Sequence, residues 1–241
     1  TASATSTFIG GGDRNIASAP CTFIGGGYQN LLLTSTISFS AGGGSPISVT
    51  VGTGSVIVGG TLNTSSANNS FIGGGCNNKI PDGYREGSVI VGGTNNSTIS
   101  GYYPGPSFKN TFIGGGSSNK IEGWGGAFLG GGINNTISGY YNNAIVGGEF
   151  NSISGGCSFI GGGCKNTVSG YYGAFSSVVG GTLNTVFRGY SSIVGGMFNT
   201  ASADFTFIGG GSRNIACGGT YSSVVGGTLN TASAGCTFIG G

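Results

Sequence analysis

The chain has 241 residues, of which 56 are glycine, while only eight are Lys or Arg, six are Asp or Glu and none is His. Charge-rich disorder is excluded because 15 Phe and 10 Tyr accompany many Ile and Val residues. The basic residues are scattered, so we expect no nucleic-acid partner, and no apolar stretch reaches the roughly 18 to 20 residues that cross a bilayer, so we expect no membrane insertion.

One motif recurs along the chain in a long and a short form. The long form, Phe-Ile-Gly-Gly-Gly-x-x-Asn, begins at Phe8, Phe23, Phe71, Phe112, Phe159 and Phe207, with a Leu variant at Phe128 and a truncated copy at Phe238. The short form, Ile/Val-Val-Gly-Gly-x-x-Asn, begins at Ile57, Ile90, Ile145, Val178, Ile193 and Val224. Phe39, followed closely by Gly42 to Gly44, marks one more copy that has lost its asparagine.

Every complete copy ends in an asparagine, and most successive asparagines are 15 to 18 residues apart. These ladder asparagines are Asn15, Asn30, Asn63, Asn78, Asn96, Asn119, Asn135, Asn151, Asn166, Asn184, Asn199, Asn214 and Asn230. If the copies stack, the asparagines align, and we expect their side chains to hydrogen-bond to one another along the stack.

The repeat predicts an all-β fold, because consecutive glycines disfavour a helix whereas the β-branched stretches before them suit short strands. Two strands and two turns per copy predict a parallel β-solenoid of about fifteen coils of about 15 residues. We predict one domain over residues 1–241, with insertions near 31–54, 79–88 and 97–111. The chain opens and stops inside copies, so we expect an excerpt of a longer repeat chain.

Two adjacent apolar residues precede the glycines, and only one of them can face the coil interior because strand side chains alternate. We assign the second of each pair to the repeat core: Ile9, Ile24, Val58, Ile72, Val91, Ile113, Leu129, Val146, Ile160, Val179, Val194, Ile208, Val225 and Ile239. The other column would form an exposed apolar stripe, which predicts an obligate oligomer around a twofold or threefold axis. The alternative is a wide single-chain coil that encloses both columns.

The pattern Ser-x-Ile/Val-Val-Gly-Gly-x-x-Asn-Thr-x-Ser-Gly resembles the head repeats of trimeric autotransporter adhesins, and it is also similar to repeats of phage and large-virus fibre proteins. The likeness covers nearly the whole chain and is best at 191–199 and 222–230. It implies a left-handed parallel β-roll, a homotrimer of three chains wound side by side, and a place as the stalk or head of a fibre on a cell or virion surface. The copies cut off at both ends predict, apart from this resemblance, either an excerpt of a longer chain or an end-to-end filament.

Catalysis has few candidate residues, because the six acidic side chains form no recurring pair. We expect a protein that is not an enzyme and has no cofactor and no metal site. The six cysteines, Cys21, Cys76, Cys157, Cys164, Cys217 and Cys236, lack paired zinc spacing. They are either small buried thiols or partners in disulfides between coils or chains.

Tyrosine recurs as Ser-Gly-Tyr-Tyr in the turn after the second strand, at Tyr102, Tyr103, Tyr140, Tyr141, Tyr171 and Tyr172. These side chains either bind surface glycans or pack against another chain. Two functions follow from the sequence. The first is a non-catalytic structural fibre that forms a rigid rod outside the cell or on a virion, and the alternative is an adhesin or receptor-binding fibre that recognises glycans through its turns.

Overall fold

The computed structural model describes residues 1–18, 20–26, 31–32, 38–40, 48–49, 54–81, 87–99, 110–123, 125–170 and 175–241. These residues form short β-strands joined by turns, in two compact units, Thr1–Ile121 and Glu122–Gly241. Each strand is only two or three residues long, because turns interrupt the coil every few residues.

The strands of the first unit are β1 (Phe8–Ile9), β2 (Ile16–Ala17), β3 (Thr22–Ile24), β4 (Leu31–Leu32), β5 (Ser38–Ser40), β6 (Ser48–Val49), β7 (Ser55–Ile57), β8 (Thr64–Ser65), β9 (Phe71–Ile72), β10 (Lys79–Ile80), β11 (Val89–Ile90), β12 (Ser97–Thr98), β13 (Thr111–Ile113) and β14 (Lys120–Ile121). Those of the second unit are β15 (Ala127–Leu129), β16 (Thr136–Ile137), β17 (Asn143–Ile145), β18 (Ser152–Ile153), β19 (Phe159–Ile160), β20 (Thr167–Val168), β21 (Ser177–Val178), β22 (Thr185–Val186), β23 (Ser192–Ile193), β24 (Thr200–Ala201), β25 (Phe207–Ile208), β26 (Ile215–Ala216), β27 (Ser223–Val224), β28 (Thr231–Ala232) and β29 (Phe238–Ile239).

Each unit stacks its coils into parallel ladders. Odd-numbered strands form the first ladder, from β1 to β13 in the first unit and from β15 to β29 in the second. Even-numbered strands form the last ladder, β2-β4-β6 and β8 to β14 in the first unit and β16 to β28 in the second. Between them along each coil, single parallel bridges form a bridge ladder, for example Cys164 to Thr182 and Thr182 to Met197. The predicted parallel β-solenoid is confirmed.

The copy that lacks an asparagine is a coil of the first unit. Strand β5 lies between β3 and β7, with Phe39 opposite both Phe23 and Val56. Strands β10 and β12 occupy the start of the expected insertions at 79–88 and 97–111. Residues 82–86 and 100–109 lie outside the described residues.

Four side chains of a typical coil point inward. In one coil of the second unit these are Ser158, Ile160, Asn166 and Val168, each at most 2% exposed. The two aliphatic side chains supply the apolar core, at about 1.5–3 kcal/mol for each fully buried residue. The two polar side chains must therefore find hydrogen bonds inside the coil.

The core assignment from sequence holds for the long form of the motif and needs correction for the short form. In the long form, Ile24, Ile72, Ile113, Leu129, Ile160 and Ile208 are fully buried, and Ile9 and Ile239 are half-buried. In the short form, the predicted residues Val58, Val91, Val146, Val179, Val194 and Val225 are exposed. The residue before each one fills the core instead: Ile57, Ile90, Ile145, Val178, Ile193 and Val224.

The cause is that the two forms align on the asparagine and not on the start of the glycines. The short form has one glycine fewer, so Ile57 stands where the long form has Ile72, six residues before its asparagine. Side chains alternate along a strand, so Ile57 is 1% exposed and Val58 is 39% exposed. The wide coil that would enclose both columns is not formed.

The side chains of the ladder asparagines form hydrogen bonds with backbone groups and not with one another's side chains. The predicted bonds between asparagine side chains are therefore corrected. The Asn184 Nδ2 donates to the carbonyl of Gly180 and to that of Gly196 in the next coil, each at 3.0 Å. The Asn184 Oδ1 accepts the backbone N–H of Asn199, also at 3.0 Å. The same contacts recur along both units, where Asn230 is half-buried, the other described ladder asparagines are buried, and Asn30 lies outside the described residues.

An inner column of hydroxyl groups repeats beside the core and was missed by the sequence reasoning. The Ser191 Oγ donates to the Ala203 carbonyl at 2.9 Å and accepts the backbone N–H of Thr206 at 3.1 Å. Among the described residues, Thr98 Oγ1 is the one buried side-chain polar atom without a partner. The interior is therefore polar at two of its four positions and still almost fully hydrogen-bonded.

Asn135 tests the weight of the asparagine contacts. We expect Asn135→Ala to lower the free energy of unfolding by about 2–5 kcal/mol, because it leaves the Gly131 carbonyl and the Asn151 N–H without their buried partner and removes one of the two hydrogen bonds to the Gly148 carbonyl. Urea denaturation of the variant measures this change. The control is Asn134→Ser, at the exposed neighbour, which should cost under about 1 kcal/mol because Ser118 adopts the same left-handed backbone. Equal losses in the two variants would contradict the structural role of the amide.

Two neighbouring glycines provide a second test. Gly196 has a φ of 82°, and a Cβ there would lie 2.1 Å from the Gly211 carbonyl oxygen, whereas a Cβ on Gly195 would meet nothing within 4 Å. We expect Gly196→Ala to destabilise by at least about 3 kcal/mol and Gly195→Ala to change stability by less than about 1 kcal/mol. Thermal denaturation of both variants measures the difference, and a similar shift in both would show that the corner does not require glycine.

Candidate interaction surface

The outward side of the first ladder carries the largest exposed apolar groups. In the second unit, the outward residue of each strand lies seven positions before the ladder asparagine or its equivalent. These residues are Phe128, Ala144, Phe159, Ser177, Ser192, Phe207, Ser223 and Phe238. Each phenylalanine among them is at least 39% exposed, because its neighbour in sequence takes the core position.

The identity of the residue two positions after each outward residue depends on the outward residue itself. Every strand of the second unit with an outward Phe has Gly there, namely Gly130, Gly161, Gly209 and Gly240, and every strand with Ala or Ser has Val, namely Val146, Val179, Val194 and Val225. In the first unit Phe8, Phe23, Phe71 and Phe112 also have Gly two positions further on, but Phe39 has Ala41 there, and Val56 and Val89 have Val. The exchange is therefore complete in the second unit, where each strand of the first ladder carries either an outward Phe or this Val.

Steric contact explains half of this rule. A Cβ on Gly161 would lie 3.3 Å from Cε1 of Phe159 and 2.4 Å from the Val179 carbonyl oxygen, so the ring covers the glycine. Contact inside the chain does not explain why valine replaces glycine beside Ser177 and Ser192. Val179 is 50% exposed and contributes little to the core. The substitution keeps one exposed Phe or Val side chain on every coil of the second unit.

An aromatic ladder borders this surface in the second unit. Phe175, Tyr190, Phe205 and Tyr221 each stand two residues before an outward residue of the first ladder. Their rings stack with centroids 5.4, 4.8 and 5.0 Å apart and interplanar angles of 7° to 20°. All four are exposed, and Cys157 and Cys236 occupy the same column on either side of them.

We name the three outward columns of the second unit, between residues 126 and 240, the outer apolar face. None of their side chains is charged. With strands about 4.8 Å apart and about 13 Å from the first column to the third, the face spans roughly 450 Å² in projection. This area includes the serine side chains between the apolar ones, and an exposed strip so rich in Phe, Tyr and Val side chains is commonly an interaction site.

The remaining predicted site residues are placed as follows. Tyr140 and Tyr141 are exposed in the turn before β17, and Tyr102, Tyr103, Tyr171 and Tyr172 lie outside the described residues. All six cysteines are free; Cys21 and Cys236 are exposed and the other four are half-buried. The expectation of small buried thiols is therefore wrong.

Metal-binding groups and ion pairs are scarce among the residues that the structure describes. No group of three or more His, Cys, Asp or Glu residues there could hold a metal ion. The ion pair seen there joins the neighbours Arg14 and Asp13 at 3.8 Å, with both side chains exposed.

Comparison with known proteins adds no family assignment. No protein-family model matches the chain, and a search of curated proteins returns no match. Within the described residues, no helix is both long and apolar enough to cross a membrane.

The exchange between Phe–Gly and Ser–Val strands yields a test. We expect Gly161→Val alone to destabilise by at least about 2 kcal/mol, because its side chain meets the Phe159 ring and the next carbonyl. The double variant Phe159→Ser with Gly161→Val should recover at least about 1 kcal/mol, because it recreates the combination of Ser177 and Val179. Denaturation of both single variants and the double variant measures the coupling, and simple additivity would refute the exchange rule.

Proposed function

We propose that this chain is a non-catalytic structural module of a fibre on a cell or virion surface, and that copies associate side by side through the outer apolar face. The observation that carries the proposal is that every strand of that face carries an exposed Phe or Val side chain. A surface in water has no need to replace a lost phenylalanine by valine, whereas a surface packed against a flat partner does, because packing gaps lose contact energy.

A second copy of this chain is the partner that fits the face. The face has no charge, so it offers nothing to select an electrostatically complementary partner. Its large groups repeat once per coil, at about 4.8 Å, and another copy provides the same axial period. The resemblance of the repeats to trimeric adhesin heads supports three chains.

Glycan recognition is the less favoured function. In the aromatic ladder, each inner ring has both faces covered by its neighbours at about 5 Å, so these rings offer their edges and not their faces to a sugar. Exposed tyrosines at Tyr140 and Tyr141 are the described residues that could serve this alternative.

Sedimentation equilibrium tests the association. We expect the unmodified chain to sediment as an oligomer, with a mass of three chains, and Val179→Lys with Val194→Lys to weaken association by about 100-fold or more, because opposed lysines repel and lose water. The control is Thr185→Lys with Thr200→Lys, in the same coils but on the last ladder, which should leave the mass unchanged.

Circular dichroism of both double variants verifies that the solenoid is retained. A monomeric unmodified chain at all concentrations would contradict the proposal. Dissociation by the control variant but not by the valine variant would place the interface on the last ladder instead.

A further inference from the structure

A second exposed column runs along a different corner of the second unit. In six consecutive coils, the residue directly before the ladder asparagine is exposed: Phe150, Lys165, Leu183, Phe198, Arg213 and Leu229. We name this column the corner ridge. Its order is phenylalanine, cation, leucine, and then the same again, so the chemical pattern repeats every three coils.

The backbone of the corner ridge is unfavourable for these side chains. All six residues have a left-handed backbone, with φ between 54° and 60°. Asparagine adopts this conformation most readily among residues with a side chain, and Asn77, Asn95 and Asn134 occupy the same position in other coils. Bulky residues at such positions are uncommon, and strain of this kind is a reason to look for a function.

The cations are held against aromatic rings. Lys165 Nζ lies 5.9 Å from the centroid of the Phe150 ring, and Arg213 Cζ lies 5.4 Å from that of Phe198. Neither cation forms an ion pair among the described residues. The nearest acidic residue in sequence is Glu149 for Lys165 and Asp204 for Arg213. Glu149 is exposed directly before Phe150, and its backbone carbonyl accepts the Lys165 N–H at 2.8 Å. The ridge thus alternates apolar groups with cations that remain accessible.

The shape and spacing of the ridge limit what it can bind. A corner one residue wide is convex, so it cannot enclose a small molecule. The two cations are three coils apart, about 14 Å, whereas phosphates along a DNA strand repeat at about 3.4 Å. Phenyl and leucyl groups with interspersed cations suit a lipid surface, where apolar tips enter the interface and cations reach headgroup phosphates.

We propose that the corner ridge binds peripherally to membrane surfaces that carry anionic phospholipid headgroups. The ridge separates the bridge ladder from the last ladder, so it does not adjoin the first ladder and its outer apolar face. Copies joined through the outer apolar face would keep their ridges free. The inference therefore goes beyond side-by-side association and does not depend on it.

Vesicle flotation tests the proposal, with phosphatidylcholine vesicles prepared with and without phosphatidylserine. We expect the full chain to float with the anionic vesicles and to bind the neutral ones much more weakly. Lys165→Asn with Arg213→Asn should lower binding about 25-fold, which is about fivefold for each cation removed. Phe150→Asn with Phe198→Asn should lower it at least about tenfold. Asparagine is the residue that other coils use here, so both variants should fold.

The matched control is Arg188→Asn, which removes an exposed cation that lies outside the ridge and should leave binding unchanged. The proposal would be overturned if the unmodified chain failed to bind anionic vesicles. It would also be overturned if both ridge variants bound these vesicles as strongly as the unmodified chain does. Ridge variants that change the sedimenting mass without vesicles while leaving flotation unaltered would overturn it as well, because the ridge would then join chains. Val179→Lys with Val194→Lys should still float, which separates this test from that of association.

Discussion

The hydrogen bonds between each ladder asparagine and the glycine corners are the constraint on which the rest of the structure depends. Asn166, for example, donates to the carbonyls of Gly162 and Gly181 and accepts the N–H of Asn184. One buried amide therefore closes its own coil and fixes the next coil in register. The contact also needs glycine, because a Cβ on Gly163 would lie 2.1 Å from the Gly181 oxygen and 2.7 Å from Nδ2 of Asn166. Asparagine and glycine recur together because the asparagine amide needs the glycine corner for space, and the carbonyls of the corner need the amide as a hydrogen-bond donor.

The register fixed inside the solenoid also orders its outside. Each coil places its outward side chains directly above those of the previous coil, so one exposed residue per coil becomes a line of groups about 4.8 Å apart. Within each unit, the described residues therefore form long, narrow columns of exposed side chains. Both proposed partners, another solenoid of the same period and a membrane surface, are extended and would match such columns. The chemistry of the surface therefore lies in columns such as Phe175 to Tyr221.

The sequence was sufficient to predict the fold, because the recurring asparagine and glycines report the coil directly. It was insufficient for the details that depend on alignment and backbone geometry. Alignment of the long and short motifs on their apolar pairs places Val58 in the core, whereas alignment on the asparagine places Ile57 there. The inner hydroxyl column was visible as the Ser or Thr before most apolar pairs, such as Ser191 and Thr206. The left-handed corner at Phe150 or Leu183 carries no residue typical of that conformation, and the signal for it in the sequence was the asparagine at the same position in other coils, such as Asn77 and Asn134.

Most coils have two positions with a left-handed backbone: the residue two before the outward residue of the first ladder, and the residue directly before the ladder asparagine. These two corners differ in their side chains between the two units. In the first unit they carry mainly Gly, Asn and Ser, such as Gly54, Asn69 and Ser118, with Arg14 and Leu62 among the exceptions. In the second unit they carry the aromatic ladder and the corner ridge. A left-handed backbone costs roughly 1–2 kcal/mol for a residue with a Cβ. Aromatic stacking contributes about 0.5–1.5 kcal/mol per pair and an exposed cation–π contact about 0.5–1 kcal/mol, which at best offsets that cost. The second unit thus gains little net stability from these side chains, which is the physical basis of the two proposals that they make contacts outside the chain.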